Sequence, residues 1–274
     1  MKTLGAARVF AELSGGIKKF FKTAGADKAV VGLSGGIDCA VVAAAAADAL
    51  GAENVFGVAL PTRFSSCESM GLAKKLAKNL GINFRVINID GAFECLLKEM
   101  GGAQKLHKLT AQNLQPRLRA NALMAVSNET GGLLLNTGNK TEIAMGYFTL
   151  YGDSCGAFAP LAYLYKKNIY DVAEYINKAQ EIIPRGTITR APTAELAHGQ
   201  KDEDDLPPYK ILDKILYLYL DKKLPSASVA KKLNIDIAVI KHAETLYKKN
   251  LFKQKYLPPA LKFSAPVSPM DDGR

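Results

Sequence analysis

Ala29-Val-Val-Gly-Leu-Ser-Gly-Gly-Ile-Asp-Cys39 is the stretch that decides the fold of this 274-residue chain. Its apolar first half, residues 29–33, predicts a short buried strand. The alanine-rich run over residues 38–50, which ends before Gly51, predicts a helix. The Ser-Gly-Gly turn between them is an anion site, because backbone N–H groups point outward from such a turn and the helix dipole favours negative charge there. We therefore expect the turn to bind a phosphate.

Asp38, at the start of the predicted helix, indicates a metal ion as well. A carboxylate beside phosphates is repulsive unless a cation lies between them, so this position favours Mg²⁺ bridging the acid and a polyphosphate. The turn is not a P-loop, because the Lys and Ser/Thr ending is absent, and it lacks the Gly-x-Gly-x-x-Gly pattern of dinucleotide-binding proteins. In the simpler alternative the glycines only tighten a turn. The strand before it and the helix after it favour the phosphate site.

The composition is that of a globular protein, long enough for one large domain or for one domain with an appendage. No apolar run reaches membrane-spanning length and no signal-peptide pattern is present, so we expect a cytoplasmic protein with no membrane partner. The cysteines Cys39, Cys67, Cys95 and Cys155 are scattered and form no Cys-x-x-Cys pair. This spacing is typical of isolated thiols in a reducing compartment.

Strand-like and helix-like segments alternate through the first two-thirds of the chain. Strands separated by helices of this length predict an α/β fold: a doubly wound, Rossmann-like parallel sheet with helices on both faces. Ligands of such sheets lie beyond the carboxyl ends of the strands, which is where the Ser-Gly-Gly turn falls. The further predicted strands are residues 54–60, 83–89 and 132–136, and the helices are residues 65–80, 91–100 and 113–128.

We expect residues 1–274 to form one domain in three parts. The α/β core takes residues 1–180. A segment of weak periodicity, residues 181–208, predicts a mobile lid loop, because an unstructured stretch of this length in a compact domain is usually functional or disordered. The helical C-terminal part takes residues 209–274, with predicted helices over 209–220, 226–233 and 236–247 and a loosely held tail from Ser264.

The net charge of +10 is concentrated in the helical C-terminal part. Residues 209–274 carry twelve Lys and one Arg against six acids. This excess suits nucleic acid or an anionic nucleotide, although lysines on solvated helix faces are the more common explanation. Residues 226–247 also imitate a helix-turn-helix, which makes a DNA- or RNA-binding protein the rival hypothesis. Because the rest of the chain has no use for that function, we expect no nucleic acid partner.

A second motif, Asn136-Thr-Gly-Asn-Lys-Thr-Glu142, begins where a predicted strand ends. Thr137 has a hydroxyl that can donate to a phosphate, and Glu142 can give a second oxygen ligand to the ion beside Asp38. Considered alone, Glu142 would be a surface helix residue. Beside the Ser-Gly-Gly turn, its interpretation as a metal ligand is the better one.

Five segments follow one another in the chain: Ser34–Cys39, Thr137–Glu142, Tyr147–Asp153, Pro192–Leu196 and Gly199–Tyr209. Together they resemble NAD synthetase, within the ATP pyrophosphatase superfamily. The pattern Ser-Gly-Gly-x-Asp-Ser, here with Cys39 in the last position, marks the whole superfamily, whereas the Tyr-Gly-Asp and Gln-Lys-Asp-Glu-Asp-Asp segments are specific to NAD synthetases. The resemblance covers most of the chain, residues 15–260, and implies the adenine nucleotide alpha hydrolase-like fold.

The resemblance implies the last step of NAD biosynthesis, with ATP as co-substrate. The nicotinate carboxylate of deamido-NAD attacks the α-phosphate of ATP, which releases pyrophosphate and leaves an acyl-adenylate. Ammonia then attacks the adenylate and yields NAD and AMP. Because a carboxylate must meet a polyanion, charge neutralisation by Mg²⁺ and other cations is expected to provide most of the catalysis. No side-chain nucleophile is implied, and the family is expected to form a homodimer.

Matching the family's motifs position by position assigns the site residues. Arg117 matches an arginine that contacts deamido-NAD, with Arg119 as a rival, and Asp153 is expected near the same substrate. Lys166 matches an ATP contact; its alternative, a lysine that merely begins a helix, is disfavoured by the helix dipole. The expected Mg²⁺ ligands are Asp38 and Glu142, and the expected ATP-binding residues are Gly32, Leu33, Ser34, Gly35, Gly36, Ile37, Asp38, Cys39, Thr137, Lys166 and Thr193.

The chain departs from the family pattern at four points. Cys39 stands where Ser is usual, and its thiol is a poorer hydrogen-bond donor. Leu150 and Ala157 stand where many ammonia-dependent members have a Lys and an Asp that contact deamido-NAD, which is closer to the glutamine-dependent members. For the C-terminal His-Lys pair of the family, only Lys253 and Lys255 are candidates. The amidase domain of the glutamine-dependent members is absent, so free ammonia, or ammonia from a separate protein, is the expected nitrogen source.

Residues 184–208 resemble the family's mobile loop over the adenylate. A lid that excludes water protects an intermediate that would otherwise hydrolyse. The nearest rival function is that of another ATP pyrophosphatase. A tRNA-thiolating enzyme usually needs paired cysteines, which this chain lacks, and GMP synthetase needs a different C-terminal dimerisation domain.

Overall fold

The computed structural model describes residues 3–197 and 207–270 of the chain. Its strands are β1 (Ala29–Gly32), β2 (Val55–Ala59), β3 (Asn83–Val86) and β4 (Leu133–Leu134). They form one parallel sheet in the order β3-β2-β1-β4, in which Val30 of β1 lies opposite Phe56 of β2 on one side and Leu134 of β4 on the other. The predicted parallel sheet is confirmed, although each strand is shorter than the apolar run that predicted it.

The strand order creates a topological switch point between β1 and β4. The chain leaves β1 toward β2 and β3 on one side and then crosses to β4 on the other side. In open α/β sheets, ligands bind in the crevice outside the carboxyl ends of the strands at such a point. The Ser-Gly-Gly turn follows β1 and Thr137 follows β4, so the fold brings the two sequence motifs to the same crevice.

The helices cover both faces of the sheet, as a doubly wound fold requires. Along β1, the side chains of Ala29 and Val31 enter one hydrophobic cluster with α-helices of the first face, while Val30 enters another cluster with the opposite face. This alternation follows from the two-residue period of a strand. The helices are α1 (Ala6–Ala24), α2 (Ile37–Leu50), α3 (Cys67–Leu80), α4 (Asp90–Glu99), α5 (Lys108–Thr130), α6 (Lys140–Met145), α7 (Lys166–Ile176), α8 (Arg185–Thr189), α9 (Tyr209–Leu216), α10 (Ser226–Leu233) and α11 (Ile237–Asn250).

Helix α2 lies deep in the first face. Its alanine run, Ala43–Ala46, is almost completely buried, and the helix packs between the sheet, α1 and α7. Small side chains let the neighbouring helices approach closely without voids. The N-terminus of α2 is therefore held rigidly at the carboxyl end of β1, where the Ser-Gly-Gly turn needs it.

The described part of the C-terminal tail, residues 264–270, is attached to the core, so the prediction of a loosely held tail from Ser264 was wrong for these residues; residues 271–274 lie outside the described residues. The N–H of Leu4 donates to the carbonyl of Pro266 at 3.2 Å, and Val267 is 8% exposed within the main hydrophobic cluster. Further in, Leu261 packs against Gly16 of α1 so closely that an added Cβ on that glycine would lie 2.4 Å from its side chain. The tail is held by α1, a helix that the sequence analysis did not assign.

The three predicted C-terminal helices are present as α9, α10 and α11, and a π-turn over Tyr217–Asp221 extends α9. Their apolar faces join Ala144 and Met145 of α6 and Tyr165 in a separate hydrophobic cluster. Helix α8, residues 185–189, lies inside the predicted lid loop, whereas Gly199 and the acid run at residues 202–205 lie outside the described residues. In the two described ranges, no helix is long and apolar enough to span a membrane.

Candidate nucleotide-binding site

A cavity of about 580 Å³ opens at the switch point, above the carboxyl ends of β1 and β4. Thirteen of the fourteen residues that the sequence analysis assigned to ATP, deamido-NAD or Mg²⁺ line it; Gly35 does not. The lining residues among them are Gly32, Leu33, Ser34, Gly36, Ile37, Asp38, Cys39, Arg117, Thr137, Glu142, Asp153, Lys166 and Thr193.

Gly35, one of the expected ATP-binding residues, fits the turn closely against α3. Its backbone has φ = 81°, and an added Cβ would lie 2.5 Å from the carbonyl oxygen of Ser69 on α3. A residue with a side chain would be strained at this φ and would also collide with α3. Gly36, which is the N-cap of α2 and has φ = −81°, faces the cavity instead. The two glycines therefore have different roles. Gly35 fits the turn against α3, and Gly36 leaves the start of α2 open to a ligand.

The Cys39 thiol, which replaces the usual Ser, is turned into its own helix. Its Sγ donates to the Gly36 carbonyl at 3.1 Å and lies 3.5 Å from the Ser34 Oγ. Burial raises the pKa of this thiol, so it stays protonated at neutral pH. Ser34 is the exposed hydroxyl of the turn.

Two carboxylates and one ammonium meet on the cavity wall, and we call them the acid–lysine cluster: Asp38, Glu142 and Lys166. The Lys166 Nζ lies 2.6 Å from Asp38 Oδ2 and 3.3 Å from Glu142 Oε1. Burial lowers the pKa of Lys166, but the charges of the two carboxylates outweigh burial and raise it above its ordinary value. The lysine is therefore charged although its side chain is only 4% exposed. It is the first residue of α7, and its side chain lines the cavity in which ATP is expected.

Asn139 orients the two acids, and the sequence analysis did not single it out. Its Nδ2 donates to Asp38 Oδ1 at 2.8 Å, and its Oδ1 accepts from the Glu142 N–H at 3.0 Å. The Glu142 Oε2 in turn accepts from the Asn139 N–H at 3.3 Å, and the two hydrogen bonds form a capping box at the start of α6. The Asn-x-x-Glu spacing is the sequence signal of such a box and would have identified this residue.

The acids of the cluster fit a Mg²⁺ ion. Asp38 and Glu142 are 17% and 19% exposed and both face the cavity. Mg²⁺ prefers oxygen ligands and usually binds one or two carboxylates together with substrate phosphates. The carboxylate oxygens that accept from Lys166 and Asn139 retain lone pairs for an ion.

The two arginine candidates for deamido-NAD both line the cavity. The Arg117 Nε donates to the Leu150 carbonyl at 3.1 Å from an exposed position, and the Arg119 Nε donates to the Leu60 carbonyl at 3.1 Å from a half-buried one. Burial lowers the pKa of Arg119 below its ordinary value, which still leaves the guanidinium charged. Both arginines therefore remain candidates. The carbonyl oxygen that accepts from Arg117 belongs to Leu150, which stands where many ammonia-dependent members have a Lys.

Asp153 lies on the cavity wall near Arg119, in the segment whose Leu150 carbonyl accepts from Arg117. It accepts from the Thr149 N–H at 2.7 Å and is exposed to the cavity. The surrounding concave wall takes solvent away from the carboxyl and raises its pKa, while the Thr149 hydrogen bond and the charges of Lys253 and Arg119 oppose this shift. Asp153 is thus poised between positive groups near the expected substrate.

Of the two C-terminal lysine candidates, Lys253 lines the cavity and Lys255 does not. The Lys253 Nζ donates to the carbonyls of Gly146 at 2.7 Å and Phe148 at 3.1 Å. Desolvation lowers the pKa of Lys253. Lys253 is therefore the candidate whose position agrees with the expected contact with substrate.

Glu195 ties the segment that carries Thr193 to the start of α3, a contact that the sequence analysis missed. Its Oε1 accepts from the hydroxyls of Ser66 and Ser69, both at 2.8 Å, and lies 3.1 Å from Arg190. Its backbone adopts φ = 47°, which is uncommon for a residue with a side chain. The Thr193 hydroxyl accepts from the Glu195 N–H at 3.2 Å and lies on the cavity wall. Because the hydrogen bonds of Glu195 join segments that are distant in the sequence, no local sequence pattern indicated them.

Comparison with known proteins supports the assignment of family. A family model described as NAD synthase matches residues 9–257. The chain is 42% identical over 260 residues to the glutamine-dependent NAD(+) synthetase of Thermotoga maritima, an alignment that covers 93% of this chain and 45% of that protein. The chain thus spans about half the length of the curated relatives it matches.

Two solved structures of similar length share the fold. The NMN synthetase of Francisella tularensis superposes with a TM-score of 0.78 at 26% identity, covering 96% of this chain and all of that one. The NH3-dependent NAD synthetase of Campylobacter jejuni superposes with a TM-score of 0.75 at 26% identity, covering 95% of this chain and all of that one. With the match of the family model and the arrangement of its site, this chain belongs to the NAD synthase family.

Proposed function

We propose that the chain converts deamido-NAD to NAD with ATP as co-substrate, ammonia as the nitrogen donor, and AMP and pyrophosphate as products. The observation that carries this proposal is the acid–lysine cluster beside the N-terminus of α2, inside one cavity that also holds arginines for a second anionic substrate. A helix N-terminus and a buried cation on the same wall suit a polyphosphate.

The chain's residues have distinct tasks in the first step. The start of α2 and the Lys166 ammonium receive phosphate oxygens of ATP, and Arg117 and Arg119 hold the second substrate. The nicotinate oxygen then bonds to the α-phosphorus while the bond from that phosphorus to the pyrophosphate oxygen breaks. Fixed cations stabilise the negative charge that moves onto the leaving pyrophosphate, because they are already oriented before the reaction begins.

Asp38 and Glu142 would hold the Mg²⁺ ion of this reaction. When bound, the ion supplies neutralisation of the charge on the phosphates. Lys166 lies between the two acids and keeps them from repelling each other before the ion arrives. The lysine would then be shared between the acids and the phosphates.

Ammonia is the proposed nitrogen donor because the described cavity wall offers no activated thiol for hydrolysis of glutamine. Its cysteines are Cys39, whose pKa is raised by burial, and Cys155, whose pKa is raised to about 11 by burial and by the charge of Asp153. A thiol that stays protonated is a poor nucleophile. The ammonia nitrogen bonds to the acyl carbon, the bond from that carbon to the AMP oxygen breaks, and the nitrogen loses a proton.

A second candidate substrate is the mononucleotide analogue of deamido-NAD. It is favoured by the similarity in fold to the NMN synthetase of Francisella tularensis. Deamido-NAD and its mononucleotide analogue carry the same reacting carboxylate, so the same residues of the cavity can act on either substrate. The substrate that is used depends on whether the cavity wall with Arg117 and Arg119, which we call the arginine wall, binds one nucleotide or two.

We also propose that the chain forms a homodimer. Strand β3 is the edge of the sheet and largely exposed, and Val86 at its end is 50% exposed. Met124 is 43% exposed on α5, the helix whose Glu129 pairs with Arg85 of β3. An exposed edge strand and apolar side chains are usually covered in proteins, and a second copy would cover both. Light scattering on the purified chain tests this, and a monomer at micromolar concentration would refute it.

The direct test is an assay of the full chain with ATP, Mg²⁺, ammonium and either deamido-NAD or nicotinic acid mononucleotide. We expect NAD and AMP to form in equal amounts from deamido-NAD, and glutamine to replace ammonium poorly. Formation of NMN alone would assign the mononucleotide instead. If neither amide forms, the proposal is refuted.

Asp38→Asn sharpens this test, because it removes one charge from the acid–lysine cluster and keeps the size of the side chain. We expect NAD and AMP formation to fall together by at least about 100-fold, as expected when an electrostatic group that acts in the transition state is lost. The matched control is Asp171→Asn, which removes an exposed acid paired with Lys167 on α7. Normal turnover of the Asp38 variant would contradict the assignment of its role.

A further inference from the structure

Helix α9, which begins the helical C-terminal part, lies against the first turn of α7. Tyr209 and Asp213 are four residues apart on α9 and therefore share a face. The Tyr209 ring lies below the Lys166 ammonium, with 5.1 Å between Nζ and the ring centroid. Asp213 Oδ2 accepts from the Lys167 N–H at 2.8 Å. One face of α9 thus contacts the Lys166 ammonium through Tyr209 and the backbone of the next residue, Lys167, through Asp213.

Asp213 also holds α6, the helix that carries Glu142. Its Oδ1 accepts from the Thr141 hydroxyl at 2.6 Å, and the same hydroxyl accepts from the Lys166 N–H at 3.3 Å. Asp213 is 1% exposed, so these contacts are made away from solvent. A single buried carboxylate therefore joins the starts of two helices that supply two members of the acid–lysine cluster.

A lysine needs such support more than the acids do. Its side chain has four rotatable bonds, and fixing them costs conformational entropy. The acids hold only the terminal nitrogen, so the path of the chain toward them depends on where the backbone of α7 begins and on what fills the space beneath the ammonium. Tyr209 fills that space, and an aromatic face beneath an ammonium is attractive.

We propose that Tyr209 and Asp213 are positioning residues that fix Lys166 between Asp38 and Glu142, so that the helical C-terminal part completes the nucleotide site of the α/β core. This proposal rests on the proposed function for its kinetic readout. It assigns a task to the Pro-Pro-Tyr209 end of the fifth sequence motif, to which the function gave none. A displacement of about 1 Å in a positioned catalytic group can cost about 100-fold in rate.

Four variants and one control test it. Asp213→Ala removes both hydrogen bonds, and Asp213→Asn keeps the volume and one acceptor. Tyr209→Leu removes the aromatic face, and Tyr209→Phe keeps it. The control is Asn177→Ala at the far end of α7, which removes a buried side chain that bonds the backbone of Ile182 and Ile183 and makes no contact with the cluster.

We expect Asp213→Ala to lower kcat by 10- to 100-fold and to weaken binding of ATP with Mg²⁺ by at least 5-fold, measured by calorimetry without the second substrate. The KM for deamido-NAD should stay within 2-fold, because the arginine wall is untouched. Tyr209→Leu should weaken ATP binding similarly, and Tyr209→Phe should recover most of the loss. Asn177→Ala should lower the melting temperature but leave kcat within 2-fold.

The proposal is overturned if the control loses as much activity as Asp213→Ala at the same melting temperature, or if Tyr209→Leu and Tyr209→Phe bind ATP equally. If Asp213→Ala does not fold, the Asp213→Asn variant and the Tyr209 pair decide. A wild-type chain that binds ATP but makes no amide would refute the proposed function alone, because the ATP-binding comparison stays valid.

Discussion

Lys166 joins two regions of the molecule that are encoded differently in the sequence. Its ammonium contacts Asp38 and Glu142 of the α/β core, and the first turn of its helix rests on α9 of the helical C-terminal part. The contribution of the core follows from a strand, a glycine turn and a helix that lie within a short stretch of sequence. The contribution of α9 depends on contacts between residues far apart in the chain. The groups that meet the ligand can thus be found locally, whereas those that hold them in place cannot.

The largest expected effect comes from removing the residue that joins the two regions. Lys166→Met leaves Asp38 and Glu142 facing each other and the phosphates without a cation. We expect kcat to fall by at least about 10³-fold, roughly 4 kcal/mol in activation free energy. Lys167→Met is the matched control, since it removes the neighbouring charge but keeps the N–H that donates to Asp213. If both variants lose activity equally, Lys166 has no role that its neighbour Lys167 lacks, and the comparison of the two regions is contradicted.

A second variant isolates the locally encoded region. Gly35→Ala places a Cβ at φ = 81° and 2.5 Å from the Ser69 carbonyl oxygen, so we expect it to destabilise the fold by about 2–5 kcal/mol. At Gly36 the nearest atom to an added Cβ is the Ser34 Oγ, at 3.2 Å, and the φ is ordinary. Gly36→Ala should therefore change stability by less than about 1 kcal/mol. Urea unfolding of the two variants checks the contrast, which equal stabilities would contradict.

The smallest expected effect concerns the long-range region and depends on pH. Burial raises the pKa of Asp213 to about 6, although hydrogen bonds from Thr141 and Lys167 and the charge of Lys166 oppose the shift. In the unfolded chain the ordinary pKa is about 3.9, so between pH 4 and 6 the folded state binds the proton more tightly. The wild type therefore loses stability relative to Asp213→Asn as pH rises through this window, by at most about 3 kcal/mol.

Unfolding free energies of the wild type and Asp213→Asn at pH 4, 5, 6 and 7 measure this effect. The difference between the two should change across the window and be constant above it. A difference that does not change with pH would show that Asp213 is not held in a desolvated position, and would weaken the role given to α9.

Much of the α/β core was predicted from the sequence, because its signals are periodic and local. Helix α2 begins one residue before its predicted start and ends at the predicted residue, and the first three strands lie within the predicted runs. Strand β4 is only two residues long, since the chain beyond it pairs with a separate segment at Phe158 instead of continuing the ladder to β1. The length of an apolar run cannot show where its hydrogen-bond partner changes.

Helix α1 shows why other elements escaped prediction. Gly15 and Gly16 interrupt its sequence, and glycine disfavours a helix interior. Tertiary packing overrides this preference, because Leu13 and Ile17 lie on the buried face and Gly16 admits Leu261. The residues that hold the site in place were not predicted, for the same reason. Asn139 had a recognisable capping pattern, but the contacts of Glu195 and Asp213 had no sequence signal, because their partners are distant in the chain.

The attachment of the tail to α1 has a consequence for biosynthesis. Leu4 donates to Pro266, and Ser264 donates to Glu12, which lies 252 positions earlier, so α1 is completed by residues far later in the chain. Until those residues have been synthesised, the groove on α1 that takes Leu261 stays open to water or to other chains. Nascent polypeptides halted before this point would expose that groove, which makes them natural clients of chaperones.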